Sequence, residues 1–560
     1  MLWDKEAVRY SVLLALLGAV FYISFLGGVH LFDWDEINFA EISREMLITG
    51  EYTRVYIDFQ PFWEKPPLFF WLQAAAMQVF GVNEFAARLP NAVCGIITLV
   101  VLFNIGRRLY DTRFGLIWAG VYFGTILPFL YFKSGIIDPW FNLFIFLGVY
   151  YFVLSHWKRN GYTGIELPAS HWTYLIAGGL FIGLAMLTKG QVAYIIACLA
   201  FFVYWVIYER FRFYINMPQF LVFTLAAVVI TLAWYGIETW NNGPWFIGAF
   251  LEYQYRLFST PDAGHRGFPF YHVVVLLVGC FPASVFTIRS FFKLPGEEQA
   301  FRKDFQVWMK ILFWVVLILF SIVQSKIVHY SSLCYYPLTF LATVVIDKMV
   351  RGEIQLLRWM RIALWSIGGL FILVTVALPF LGMNIELIEP LFSKDPFAAA
   401  NLEADVTWTG FEIIPGLLLF AVIFLTLRWW RQEQFRRAIP TLFGGTAIFV
   451  MLTLIFFINR IESYSQRAAI EFFESKVGED AYLITDGYKS YAQYFYGKTR
   501  EYSRKGEEER EILFSGDIDK DVYIVTKIHK ADRLRARPEL TEIGAKNGFV
   551  FFKREKTAGD

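Results

Sequence analysis

The residues of this chain best suited to chemistry sit in one polar stretch that follows its first apolar run. Asp33-Trp34-Asp35-Glu36 opens a helix-like segment from Ile37 to Leu47, and Phe62-Trp63-Glu64-Lys65-Pro66-Pro67-Leu68 closes the stretch. Two acids and a Glu-Lys pair thus occupy one loop between two apolar runs. A carboxylate there can take a proton from an attacking group or orient it. A lysine or arginine at a membrane face can hold a phosphate whose tail lies between helices. An acid with a histidine can hold a divalent cation against a leaving phosphate.

The elements that must position these groups are membrane spans. Of the 560 residues, 57% are hydrophobic and 18% charged, with 59 Phe and a mean hydropathy of +0.46. A soluble domain has no means of burying that much apolar surface, whereas a polytopic membrane protein leaves it facing lipid. The net charge of +2 offers no nucleic-acid footprint. Cys94, Cys198, Cys280 and Cys334 all fall in apolar runs and read as small packed residues. Residues 9–29 lack a small-residue cleavage site and read as a retained first helix.

Uncharged apolar runs predict about thirteen spans: 9–29, 88–106, 114–132, 139–155, 173–188, 191–208, 218–237, 271–288, 311–325, 331–346, 362–382, 413–427 and 438–458. The apolar run 68–81 is shorter and reads as an interfacial helix. Lys5, Arg107, Arg108, Arg113, Arg210, Arg212, Arg428 and Arg431 then all fall in loops of one side. That bias makes the N-terminus cytoplasmic and turns the Asp35–Pro67 loop and the C-terminus outward. From about 460 the chain becomes charged, with strand-like runs at 481–485, 522–525 and 549–552 and a helical stretch at 487–497. A small extracytoplasmic α/β domain over 461–560 is expected after a 1–460 membrane domain, with residues 504–511 as a solvated turn.

Four outward loops deliver polar groups to one face. The first carries Asp35, Glu36, Arg44, Glu64 and Lys65, and the second Lys133 and Asp138. A long loop at 238–270 carries Glu252, Arg256, Asp262 and His265, and the turn at 326–330 carries Lys326, His329 and Tyr330. Structural readings stand beside these: Asp35 suits a helix N-cap, and Asp138 before Pro139 suits the start of a span. His30, His156, His171 and His272 read as interfacial residues without a chemical role.

The motifs Asp35-Glu36, Phe39-Ala40-Glu41-Ile42-Ser43-Arg44-Glu45-Met46, Glu64-Lys65-Pro66-Pro67 and Phe80-Gly81-Val82-Asn83-Glu84 through Arg88-Leu89-Pro90 resemble the polyprenyl-phosphate-sugar glycosyltransferases of the GT-C superfamily. The likeness is to lipid A aminoarabinose transferases and dolichyl-phosphate-mannose–protein mannosyltransferases. It continues through Asp138-Pro139 and Ser325-Lys326-Ile327-Val328-His329-Tyr330. It implies a multi-pass enzyme of the cytoplasmic membrane that moves a sugar from a polyprenyl-phosphate donor to an outer-face acceptor, a glycolipid of lipid A type, a protein or a glycan. By the same resemblance Asp35 and Asp138 are catalytic, with Glu36 and Arg44 in support. Lys65, Arg256, Lys326 and Tyr330 bind the carrier phosphate, and Glu64 with His265 forms a candidate divalent-metal pair. Where such relatives carry Glu-His ahead of the arginine matching Arg256, this chain carries Glu252-Tyr253. The alternative is a transporter or flippase, which would place its acids and histidines near the bilayer midplane instead.

Overall fold

The computed structural model describes residues 4–259, 267–502 and 507–557. It is a mostly helical membrane protein carrying a small C-terminal sheet layer. The chain begins with α1 (Lys5–Ile23), followed by α2 (Asp35–Thr49), α3 (Leu68–Phe80) and α4 (Glu84–Leu109). Next come α5 (Thr112–Phe123), α6 (Ile126–Tyr131), α7 (Asp138–Arg159), α8 (His171–Lys189) and α9 (Val192–Tyr208). The membrane part continues with α10 (Met217–Asn242), α11 (Trp245–Ser259), α12 (Tyr271–Gly279), α13 (Ala283–Ser290) and α14 (Ala300–Ile322). It ends with α15 (Val328–Val350), α16 (Arg358–Met383), α17 (Phe411–Arg431) and α18 (Phe435–Ser463).

Among the described residues ten helices are long and apolar enough to cross a membrane, or eleven if α12 and α13, bent by 118°, form one broken span. The expected count of thirteen is therefore not reached by length and composition. The two remaining expected spans appear as the broken pair α5–α6 and as α9, which is short. The ninth expected span, 311–325, in fact begins at Ala300. That extension carries the buried Asp304, whose carboxylate accepts from Trp157 Nε1 and Tyr204 Oη, each at 2.6 Å. Such pairing is what keeps a charge tolerable at that depth.

Local chemistry sets where these helices start and stop. Asn83 caps α4 by accepting from Ala86 N at 2.9 Å, and Asp111 caps α5 by accepting from Phe114 N at 2.8 Å. Pro139 occupies the first turn of α7, where its missing N–H costs nothing. Packing is closest between α7 and α8 and between α8 and α10. Small residues permit this approach, since a Cβ on Gly183 would stand 2.6 Å from the Ala227 carbonyl oxygen.

The first loop is folded rather than extended. Its strands β1 (Tyr56–Ile57) and β2 (Gln60–Pro61) pair antiparallel around Asp58 and Phe59, whose φ angles of +55° and +53° suit a two-residue hairpin. Glu45 Oε2 accepts the Phe59 N–H at 2.9 Å and so fastens the hairpin tip to α2. On the far side Trp234 Nε1 donates to Thr53 O at 2.6 Å, which ties the loop to α10.

The C-terminal layer begins with α19 (Arg467–Glu474) and contains β3 (Ala481–Asp486), α20 (Ala492–Phe495), α21 (Glu507–Ser515), β4 (Asp521–Lys527), β5 (Thr541–Lys546) and β6 (Phe549–Arg554). The strand order is β3-β4-β6-β5, with β3 parallel to β4 and the other pairs antiparallel. The three expected strands are present and β5 is added at an edge. The helix expected over 487–497 is a single turn, and within the expected turn at 504–511 the residues from 507 are helical, 504–506 lying outside the described residues.

Alternation along the strands gives the sheet two apolar faces. Tyr482, Val522 and Ile524 pack with Leu513, Phe514 and Leu534 on one side. Leu483, Tyr523 and Val525 join a core that also contains Ile37, Phe39, Phe69, Phe70 and Ile137. The outer layer and the first loop therefore share one hydrophobic core.

Candidate active site

The start of α2 is held in place by a buried ion pair. Arg88 donates to Glu36 Oε1 at 3.0 Å and Oε2 at 2.8 Å, and also to the Leu26, Val29 and His30 carbonyls. Glu36 further accepts from Phe32 N at 2.9 Å and Gly135 N at 2.6 Å. Burial works against its charge, but the Arg88 guanidinium and these N–H groups more than offset it and hold the carboxyl below its usual range. Glu36 thus locks the loop after α1 to the loop between α6 and α7, and Asp35, one residue earlier, is left facing a cavity.

That cavity has a volume of about 1360 Å³ and gathers polar groups distant in sequence. Asp35 and Glu36 enter from α2, Glu64 and Lys65 from the end of the first loop, and Asp138 from the start of α7. His329 and Tyr330 enter from the 3₁₀ turn that opens α15, and Arg256 from the last turn of α11. His329 Nε2 lies 3.6 Å from Asp35 Oδ2. The 3₁₀ turn is pinned by Ser332, which donates to the His329 carbonyl at 2.5 Å and accepts from Asn142 Nδ2 at 2.7 Å.

Lys189 belongs to the same cluster and was not anticipated from the sequence. Its Nζ donates to Asp138 Oδ1 at 2.6 Å and lies 5.4 Å from the Tyr330 ring centre. Asp138 is 2% exposed, and its Oδ2 takes no hydrogen bond from the described residues. Gly190, with φ +92°, ends α8 directly after Lys189 and so sets the ammonium at the rim of the cavity. A signal was available: the span count puts the turn at 189–190 on the outward side with the other polar groups.

Below the polar cluster the walls are apolar. Val192, Ile195 and Ile196 of α9 face the cavity, as do Leu319 and Phe320 of α14. Met451, Leu454 and Ile455 of α18 complete this wall. Ile195 and Ile455 are 54% and 40% exposed, so this apolar wall is not covered by packing.

Two expected residues are placed differently, and a third is not described. Lys326 does not line the cavity; its ammonium donates to the carbonyls of Phe320, Ser321 and Val323 at 3.2, 2.7 and 2.6 Å and so caps the end of α14. Arg44 lies within the shared core, donating to Glu41 twice at 2.7 Å and to the Thr499 carbonyl at 2.8 Å. It therefore joins α2 to the C-terminal layer and does not reach the cavity. His265 lies outside the described residues, and among those described no three His, Cys, Asp or Glu side chains are grouped to hold a metal ion. Glu64 lines the cavity without such a group around it. Lys133 also lines the cavity but donates to the carbonyls of Phe21, Tyr22 and Ser24.

The roof over Asp35 comes from the C-terminal layer. Ser490 donates to Asp33, and the Tyr491 N–H lies 3.4 Å from the other carboxylate oxygen. Gln466 accepts from Asp33 N at 3.2 Å and donates to the Leu31 carbonyl at 2.7 Å. Burial pushes the Asp33 carboxyl up to about 6 against the pull of Ser490, Tyr491 and Lys527.

Fold and site together define a class: a multi-pass membrane protein with a large cavity, apolar on one wall and polar at one end, roofed by a C-terminal layer. The family model described as dolichyl-phosphate-mannose-protein mannosyltransferase matches residues 64–235. The chain is 26% identical over 366 residues to the undecaprenyl phosphate-alpha-4-amino-4-deoxy-L-arabinose arabinosyl transferase of Photorhabdus laumondii, covering 64% of this chain and 63% of that one. It is 28% identical over 345 residues to the transferase of the same name from Erwinia tasmaniensis, covering 60% and 58%. The chain thus spans about three fifths of the length of the curated relatives it matches. Its fold is that of the crystal structure of ArnT from Cupriavidus metallidurans bound to undecaprenyl phosphate, with a TM-score of 0.75 at 16% identity over 97% of this chain and 98% of that one. The resemblance carried by the motifs of 33–90 therefore extends to the architecture of the whole chain.

Proposed function

We propose that this protein is a membrane glycosyltransferase that moves a sugar from a polyprenyl-phosphate carrier to an acceptor on the outer face of the cytoplasmic membrane. The carrier is of the undecaprenyl-phosphate type, and the acceptor is an envelope glycolipid, protein or glycan. The observation that carries this reading is one cavity in which an apolar wall runs up to a cluster of carboxylates and cations that includes Asp35, Asp138, Lys65 and Lys189. The similarity to transferases named for an undecaprenyl-phosphate-linked sugar supports the choice of donor.

In this reading the isoprenoid tail lies against α9, α14 and α18, and its phosphate meets Lys65 and Arg256. The acceptor oxygen attacks the anomeric carbon from the side opposite the phosphate. The carbon–oxygen bond to phosphate breaks, its electron pair leaves with the carrier phosphate, and the anomeric centre inverts. If the attacking group is a hydroxyl, its proton goes to Asp35. An acceptor phosphate is already anionic and needs no base, in which case Asp35 orients other groups or holds a cation. Asp138 Oδ1 is taken by Lys189 at 2.6 Å, whereas Asp35 faces His329 at 3.6 Å, and in this reading the base role falls to Asp35. Asp138 Oδ2 remains able to accept a hydrogen bond from a sugar hydroxyl. An N-terminus in the cytoplasm and an extracytoplasmic 461–560 layer over a 1–460 membrane domain belong to the same reading.

The test is transfer by purified protein incubated with radiolabelled polyprenyl-phosphate sugars and envelope acceptors, with Asp35→Asn alongside. Label should leave the carrier in wild type and stay on it in the variant. Folded wild-type protein that moves no label from any carrier would overturn the reading.

A further inference from the structure

The cavity receives one cation from outside the membrane part, on the loop between β3 and α20. Lys489 lines the cavity and sits 4.5 Å from the Trp34 ring centre and 5.6 Å from that of Tyr491. Its backbone neighbours Ser490 and Tyr491 both hold Asp33, and the Trp34 and Tyr491 rings meet edge to face at 5.8 Å. The loop is thus fastened to the segment that carries Asp35, and Lys489 projects from the fastening point.

Other cations of the cavity have fixed duties. Arg88 pairs with Glu36, Lys189 pairs with Asp138, and Lys133 binds three carbonyls. Lys489 is exposed, and among the described residues it touches ring faces and pairs with no carboxylate. Ring faces satisfy an ammonium only in part and leave its three donors able to bind an anion. Its origin decides which anion. The carrier phosphate, tethered to a tail among the spans, meets cations borne by the membrane part. A cation hung from the C-terminal layer, against the Trp34 ring next to Asp35, stands apart from Lys65 and Arg256 of the membrane part, and in the transferase reading it is left for the second substrate.

We propose that Lys489 is the acceptor-recognition residue of this site, pairing with a phosphate or other anionic group of the acceptor beside the attacking oxygen. The inference rests on the transferase reading for the identity of the two substrates. It makes the C-terminal layer a specificity element of the site.

Two separate readouts on the full-length protein in nanodiscs test it. The first is direct binding of a synthetic phosphorylated diglucosamine lipid and its dephosphorylated analogue, followed by intrinsic tryptophan fluorescence. Wild type should bind the phosphorylated lipid about tenfold more tightly than Lys489→Ala, the preference should shrink as salt is raised, and Lys489→Arg should keep most of it. Equal affinity of wild type and Lys489→Ala would overturn the proposal, whatever the protein catalyses. The second is steady-state transfer to the same lipid, in which Lys489→Ala should raise the acceptor KM about tenfold and leave the donor KM and kcat within twofold. A raised donor KM with an unchanged acceptor KM would assign Lys489 to the carrier phosphate instead. Absence of transfer by wild type bears on the transferase reading alone, because the binding comparison decides the role of Lys489 independently.

Discussion

Glu45 shows how far the surroundings of a single residue can move its chemistry. It is fully buried in α2, and burial together with the Glu41 carboxylate holds its carboxyl well above the usual range, against the Phe59 N–H that pulls it down. An unfolded chain releases that proton near the ordinary carboxylate value of about 4.3, whereas the folded protein keeps it to higher pH. The folded state therefore binds the extra proton, and the stability this confers is present in full at low pH and lost as pH rises above about 5. Glu45→Gln retains an acceptor for Phe59 and removes the titration. It should raise the melting temperature at pH 8 by several degrees and by less at pH 5. A variant whose gain is equal at both values would show that Glu45 is ionised in the native protein.

Residue types and placement near span ends were legible in the sequence, and they brought Asp35, Asp138, Lys65 and Tyr330 to one cavity. Pairing was not. Lys326 and Arg44 have the right charge at the right face, but their charges are used on helix-end carbonyls and on Glu41. The Glu41–Arg44 spacing of three residues did signal a helical ion pair. Lys189 meets Asp138 across 51 positions, and no local pattern encodes such a contact.

At the scale of elements, the site depends on how α2 is joined to α4. The Glu36–Arg88 pair is buried, doubly hydrogen-bonded and linked to carbonyls of the loop that follows α1. Removing one partner of such a pair leaves an uncompensated charge and typically costs about 3–5 kcal/mol. Arg88→Met should accordingly lower the thermal midpoint in detergent by several degrees, and Glu36→Gln added to it should restore part of the loss. A single variant that melts with wild type would mean that the pair does not anchor α2. The spans themselves were readable because uncharged apolar runs of this length have few alternatives. Less readable was the 118° size of the bend between α12 and α13, although Gly279 and Pro282 mark the break itself.

The molecule as a whole is one body with a common core beneath its outer layer. Phe39 of α2 and Phe69 and Phe70 of α3 pack with Phe473, Leu483 and Phe551 of the C-terminal layer. A chain ended after Ser463 would leave that apolar face open to water. It should fail to elute as a monodisperse species and should not bind undecaprenyl phosphate; a well-behaved truncated protein that still binds it would show that the layer is dispensable. From sequence the layer was visible as a change in composition and a set of strands. Its role as the roof of the cavity was hidden, because Asp33 and Ser490 lie 457 residues apart.

The central claim is that Asp35 acts in a cavity where a carrier–sugar bond is broken, and a single-turnover experiment addresses it most directly. Purified protein loaded with an undecaprenyl-phosphate sugar would be mixed with acceptor, and free carrier phosphate and glycosylated acceptor would be counted over time in wild type and Asp35→Asn. Equal amounts of both products in wild type, at a rate reduced about a hundredfold or more in the variant, are predicted. Wild-type rates in Asp35→Asn, or carrier that crosses the membrane with its sugar still attached, would contradict the account.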